Sequence, residues 1–121
     1  MHEAITLDLD TDSIPVSLTH NGEKKDYELR EMISSVRDKY LNTIKSRMLF
    51  NPKTGNPQGV KNFEGMQADL LARCLYDSDG NAVPLNTIQE WPASKVTTLF
   101  EAAQKLNGLN LKKEEDESKN D

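Results

Sequence analysis

The chain has 121 residues and a mass of 13.6 kDa, enough for one domain around a single core. Apolar residues make up 36 % and charged residues 29 %, and the net charge of −5 is carried by the ends. Residues 1–13 hold Glu3, Asp8, Asp10 and Asp12 with no Lys or Arg, and residues 112–121 hold five acids against three lysines, so the middle is close to neutral. That balance argues against duplex-DNA binding as the main role, because affinity there rests on neutralised phosphates.

No apolar run approaches the roughly 20 residues that span a bilayer, and the first residues lack the apolar stretch of a secretory signal. The one cysteine, Cys74, forms no internal disulfide. A cytoplasmic protein without a membrane partner is expected.

Residues 1–13 are predicted to be a flexible acidic arm. Ile5, Leu7 and Leu9 alternate briefly with Thr6 and Asp8, which also suits a short edge strand. Val16 and Leu18 then alternate with Ser17 and Thr19, and Tyr27 and Leu29 with Glu28 and Arg30. Asn21-Gly22 lies between these runs and predicts a hairpin, with a loop longer than two residues. Pro15 restricts the first strand to an edge.

Ser34 or Ser35 is expected to cap a helix reaching about Phe50, on which Val36, Tyr40, Leu41, Ile44 and Met48 recur at helical spacing. Two prolines and two glycines make residues 51–59 a loop suited to partner contacts. A second helix, capped by Asn62, carries Phe63, Met66, Leu70, Leu71, Cys74 and Leu75, with Gly65 inside it as a sign of a close approach by another part of the chain. After a turn at Asp77–Asn81, a short helix is expected over Leu85–Glu90. A last helix follows, with Pro92 in its first turn, an apolar stripe from Val96 to Leu106, and a left-handed ending at Asn107-Gly108. The expected fold is α+β, mainly α: an N-terminal β-hairpin packed on about three to four helices within residues 14–109, then a disordered charged tail over residues 110–121.

The residues supply no catalytic constellation, and neither a metal nor a cofactor is expected. Asp77-Ser78-Asp79-Gly80-Asn81 begins like a calcium loop, but position six is Ala82 and position twelve is Ile88, where such a loop needs Gly and Glu. A tight turn is the better reading. His2 and His20 lack companions at zinc-site spacing, and Cys74 lies on an apolar helical face where a small buried side chain belongs. Arg37, Lys39, Lys45 and Arg47 dot one helix without interleaved aromatics, as a solvated face does. Met32, Met48 and Met66 fall at helical apolar positions, and methionine also serves surfaces that accept varied helices.

Several blocks resemble the tail assembly chaperones of long-tailed phages. They are Asp26-Tyr27-Glu28-Leu29-Arg30-Glu31-Met32, Arg37-Asp38-Lys39-Tyr40-Leu41, Gln67-Ala68-Asp69-Leu70-Leu71-Ala72 and Leu75-Tyr76-Asp77-Ser78-Asp79-Gly80. The likeness continues in Ile88-Gln89-Glu90-Trp91-Pro92-Ala93-Ser94 and in Leu99–Leu109. It covers about residues 14–109 and consists of turn and core residues. It implies a small, non-enzymatic protein of the infected or lysogenic bacterial cytoplasm. Such a protein binds the tape measure protein, keeps it soluble and helps recruit tail tube subunits. Self-association is a further expectation. Met48, Leu49, Phe50, Val60, Phe63 and Met66, at the end of the first helix and around the following loop, are the expected partner-facing residues. The alternatives are a structural virion component, such as a connector or tube-associated subunit, and a small nucleic-acid-binding regulator.

Overall fold

A computed structural model describes residues 2–60 and 64–109. Residues 2–9 take no regular secondary structure. The first hairpin pairs β1 (Ser13–His20) with β2 (Glu23–Arg30), and His20 stands opposite Glu23. The loop is therefore two residues, shorter than expected. Asn21 and Gly22 both take positive φ, 54° and 78°, the combination whose twist matches the two strands and which Asn-Gly adopts at low cost. Pro15 lies on the edge strand, as its missing N–H requires.

The first helix, α1 (Ser34–Arg47), starts one residue early and ends three residues short of expectation. Neither serine caps it. Ile33 holds the cap position without a side-chain bond, and its carbonyl accepts from the Val36 and Arg37 N–H groups. Only Tyr40 of the predicted stripe is buried, while Val36 and Ile44 are half-buried and Leu41 is exposed.

Where the helix was expected to continue, the backbone extends into β3 (Met48–Phe50), which pairs with β4 (Pro57–Val60) in a second hairpin. Asn51 builds the connection: its side-chain Oδ1 accepts from the Lys53 N–H at 2.8 Å and its carbonyl from the Gly55 N–H at 2.7 Å. The Pro/Gly-rich stretch is thus an organised turn and a strand.

Helix α2 (Met66–Cys74) begins later than predicted. The expected Asn62 cap lies outside the described residues, as do Phe63 and residues 110–121. Gly65 is outside the helix, in the N-cap position with φ +69°. A Cβ there would stand 2.9 Å from Gln89 Nε2. Gly65→Ala is expected to destabilise by about 1 kcal/mol, since a left-handed backbone costs an L side chain about 1–2 kcal/mol and the Gln89 amide can move aside. The midpoint of urea unfolding checks this, with Gly65→Asn falling between the two because Asn tolerates left-handed φ.

Cys74 ends the helix. Leu75 fits the helical phase but turns extended (φ −99°, ψ 126°) and opens β5 (Leu75–Asp77), which joins β2 to complete a sheet of order β1-β2-β5. The expected turn follows, then α3 (Leu85–Gln89) and α4 (Ala93–Leu106), with Pro92 at the N-cap of α4.

The hairpin covers helices, as expected. Leu29 and Leu75, opposite each other in the sheet, are fully buried with Leu70, Leu71 and Ile88. This core, closed by Val96, Leu99 and Ala103 of α4, is where most of the hydrophobic stabilisation arises, at roughly 1.5–3 kcal/mol per fully buried large aliphatic side chain. The sheet's other face is polar, and the Arg30 guanidinium lies 4.3 Å from the centre of the Tyr76 ring.

The end of α4 locks the two layers together. Gly108 takes φ +67°, the Leu109 N–H reaches the Gln104 carbonyl at 2.7 Å, and the Gly108 N–H reaches that of Lys105 at 3.3 Å. This Schellman arrangement satisfies helix-end carbonyls and tucks Leu109 into the core. Asn107 is buried beside it. Its Oδ1 accepts from the Met32 N–H at 2.7 Å, and its Nδ2 donates to the Ala103 carbonyl at 2.9 Å.

Candidate partner-binding surface

Trp91 is the chain's single tryptophan and sits between α3 and α4. Its backbone N–H donates to the Ile88 carbonyl at 3.0 Å, and its ring meets Tyr27 of β2 edge-on, 5.9 Å between centres and 72° between planes. Half-buried, it forms a wall of two separate grooves.

The first groove, about 460 Å³, lies between α2 and the α3–α4 pair. Its apolar walls come from Met66, Ala68, Ile88, Trp91, Val96 and Phe100. Local sequence explains how these converge. Pro92 starts α4 directly after Trp91, so Val96 and Phe100, four residues apart, line up on one face of the helix. Gly65 brings the start of α2 close to Gln89. A hydrogen bond from Thr97 Oγ1 to Gln67 Oε1 at 2.9 Å holds α4 to α2 across one side. Ala93, exposed at the start of α4, also lines this groove. The second groove, about 800 Å³, runs between the first hairpin and the start of α4, walled by Leu18, Tyr27, Trp91 and Pro92 with Lys25 and Lys95.

The six residues expected to face a partner divide. Met48, Leu49 and Phe50 form β3, with Leu49 and Phe50 exposed, and the Val60 backbone pairs opposite Met48. Met66 lines the first groove, which none of β3 enters. Phe63 lies outside the described residues. In the sequence Trp91 reads as a fold determinant, and Val96 and Phe100 read as core. An aromatic placed at a break between two helices was the available signal that it borders a cleft.

The other candidate chemistry resolves into structure. Asp77 Oδ1 accepts from the N–H groups of both Asp79 and Asn81 at 2.9 Å, and the Asp77 carbonyl accepts from Gly80. The carboxylate is committed to the turn. Cys74 is buried and its Sγ–H donates to the Leu70 carbonyl at 3.3 Å; burial pushes the thiol up to about 12, far from a reactive thiolate at neutral pH. Arg37, Lys39 and Lys45 are exposed, while Arg47 reaches the Glu64 carbonyl at 3.1 Å. Among the described residues, no cluster of three His, Cys, Asp or Glu side chains could hold a metal, and no helix is long and apolar enough to cross a membrane. Compared with protein-family models, curated proteins and solved structures, the chain matches none.

Proposed function

We propose that this protein is a tail assembly chaperone that binds the tape measure protein of a long-tailed phage, keeps it soluble and helps recruit tail tube subunits. The reading starts from the resemblance of the motif blocks, and the observation that carries it is the apolar groove between α2, α3 and α4. A tape measure chain is a long helix with an apolar stripe, and a helix offers anchors at three- and four-residue spacing to such a cleft. Walls of Met66, Trp91, Val96 and Phe100 give contacts that adapt to a varying stripe. The groove is open and modest in size, in keeping with an occupant that is released when the tube assembles. The exposed Leu49 and Phe50 of the second hairpin are further apolar side chains, outside that groove, that a long partner can cover.

Co-expression with the tape measure protein tests the proposal. The partner is expected to remain soluble and to co-purify with this chain. Ala93→Glu places a carboxylate in the groove at a helix N-terminus, where the helix dipole favours it. Folding should be unaffected while the affinity for the tape measure protein falls at least about tenfold, the effect of roughly 1.4 kcal/mol. A tape measure protein that stays insoluble, with no complex recovered, ends the chaperone reading. Presence of the chain in purified mature virions would favour the structural-component alternative.

A further inference from the structure

The sheet has two outer edges, and the chain treats them differently. β5 is covered from within: the Val83 N–H donates to the Leu75 carbonyl and the Asp77 N–H to the Asn81 carbonyl, both at 2.9 Å, and Tyr76 bridges to Ala82. Among the described residues, nothing pairs with the outer side of β1. The Asp12 carbonyl accepts from the Glu31 N–H at 2.8 Å. Even-numbered residues from Asp12 onward therefore direct their backbone groups to β2, and strand alternation turns those of Ser13, Pro15, Ser17 and Thr19 outward. Pro15 has no N–H to offer, which blunts this edge at one position only.

One described segment has the pattern of a strand and no strand to pair with. Ile5, Leu7 and Leu9 alternate with Thr6, Asp8 and Asp10, and they are 86 %, 78 % and 94 % exposed. Beside the open edge lies the groove of about 800 Å³ walled by Leu18, Tyr27, Trp91 and Pro92. We infer that the arm of one copy adds as a strand to the open β1 edge of a second copy, placing Ile5, Leu7 and Leu9 in that groove.

The arm is poorly placed to cover its own edge. It would have to reverse over Asp10-Thr11-Asp12, and Asp12 is held to Glu31 at both its N–H and its carbonyl. That stretch contains no glycine for the positive φ of a three-residue hairpin loop. A second copy removes this restriction, because its edge can be approached from outside. With the apolar row turned into the groove, Asp8 and Asp10 face the solvent side of the sheet, which carries Lys24 and Arg30 as well as Asp26 and Glu28, so the apolar row and not charge sets the orientation. Exchange in both directions closes a two-fold dimer and leaves neither β1 edge open. This inference does not depend on the identity of the tape measure partner.

Sedimentation equilibrium of the full chain from about 10 µM to about 500 µM reads the association directly. The mass is expected to rise toward twice 13.6 kDa. Leu7→Asp alters a side chain that the protomer leaves exposed, so the fold is retained and dimerisation weakens at least tenfold. Amide exchange at Ser17 and Thr19 is expected to slow as the concentration rises. A mass of one chain throughout, or a dimer equally strong in Leu7→Asp, overturns the inference. So does protection of Ser17 and Thr19 that is independent of concentration, which would place the arm on its own edge.

Discussion

Asn107→Ala is expected to lower the unfolding free energy by about 2–3 kcal/mol, although it removes only one short polar side chain. The Met32 N–H is buried and loses its acceptor at 2.7 Å, and an unsatisfied buried donor costs about 1–3 kcal/mol. The same substitution removes the Nδ2–H that caps the Ala103 carbonyl. Asn107→Gly, which suits the helix end but lacks the acceptor, should fall as far. Asn107→Asp keeps an acceptor for Met32 but sets a carboxylate against the Ala103 carbonyl at the negative end of the helix dipole, so part of the loss remains. Urea unfolding, read by the midpoint at constant slope, orders the three variants. A change in Asn107→Ala below about 0.5 kcal/mol would mean that water replaces the side chain, contrary to its burial.

The second large effect is alkaline. Tyr40 is pushed up from 10.0 to about 12 by burial first and then by the charge of Asp69 and the neighbouring Cys74, against the opposing pull of Arg73 and Arg47. Cys74 is pushed up from 9.0 to about 12 by burial. Both groups are neutral when protonated and hold their protons more tightly in the folded chain. The unfolded chain therefore releases a proton from Cys74 near pH 9 and from Tyr40 near pH 10, while the folded chain keeps both until about pH 12. Stability tied to these groups is fully present below pH 9 and declines as pH rises through that window. A tenfold difference in proton affinity between folded and unfolded chain is worth about 1.4 kcal/mol, so the combined loss is on the order of several kcal/mol. Urea midpoints should stay level up to about pH 9 and fall from there to about pH 12. Cys74→Ala should delay the onset to about pH 10, and Tyr40→Phe should make the fall shallower without moving its start. A midpoint that stays flat to about pH 11 contradicts the burial of both groups.

The parts of the fold legible in the sequence are those whose causes are local. Asn21-Gly22, the alternation around Val16 and Tyr27, and Asn107-Gly108 each specify backbone geometry within a few residues, and the hairpin and the end of α4 follow from them. Even the Asp77 turn is local, since its carboxylate bonds no further than Asn81. Two of the missed strands, β3 and β5, are three residues each, and both begin on an apolar residue in phase with the helix before it. Leu75 continues the spacing of Leu71, and Met48 that of Ile44. What ends α2 at Leu75 is a partner distant in sequence, β2, which no window around the residue contains, whereas β3 pairs with the nearby β4. Phe50 was nearer to being legible, because Met48-Leu49-Phe50 stands before a Gly-containing connection. The candidate surface was less legible still. Met66 was found by its type, but a groove is made by helices meeting, and Val96 and Phe100 read equally well as core until the place of α2 is known.

Trp91 borders two grooves with a single ring, and this has a thermodynamic consequence. Trp91 lines both the α2–α4 cleft and the groove beside β1. The ring is further constrained by Tyr27, so a displacement at one side is transmitted to the hairpin at the other. If both proposed occupants bind, Trp91 is a side chain through which the two events can be linked, and linkage is reciprocal. Whatever factor dimerisation applies to partner affinity, the partner applies to dimerisation. Two chains released from each other by cargo, or held together more tightly by it, would be the two signs of one coupling free energy.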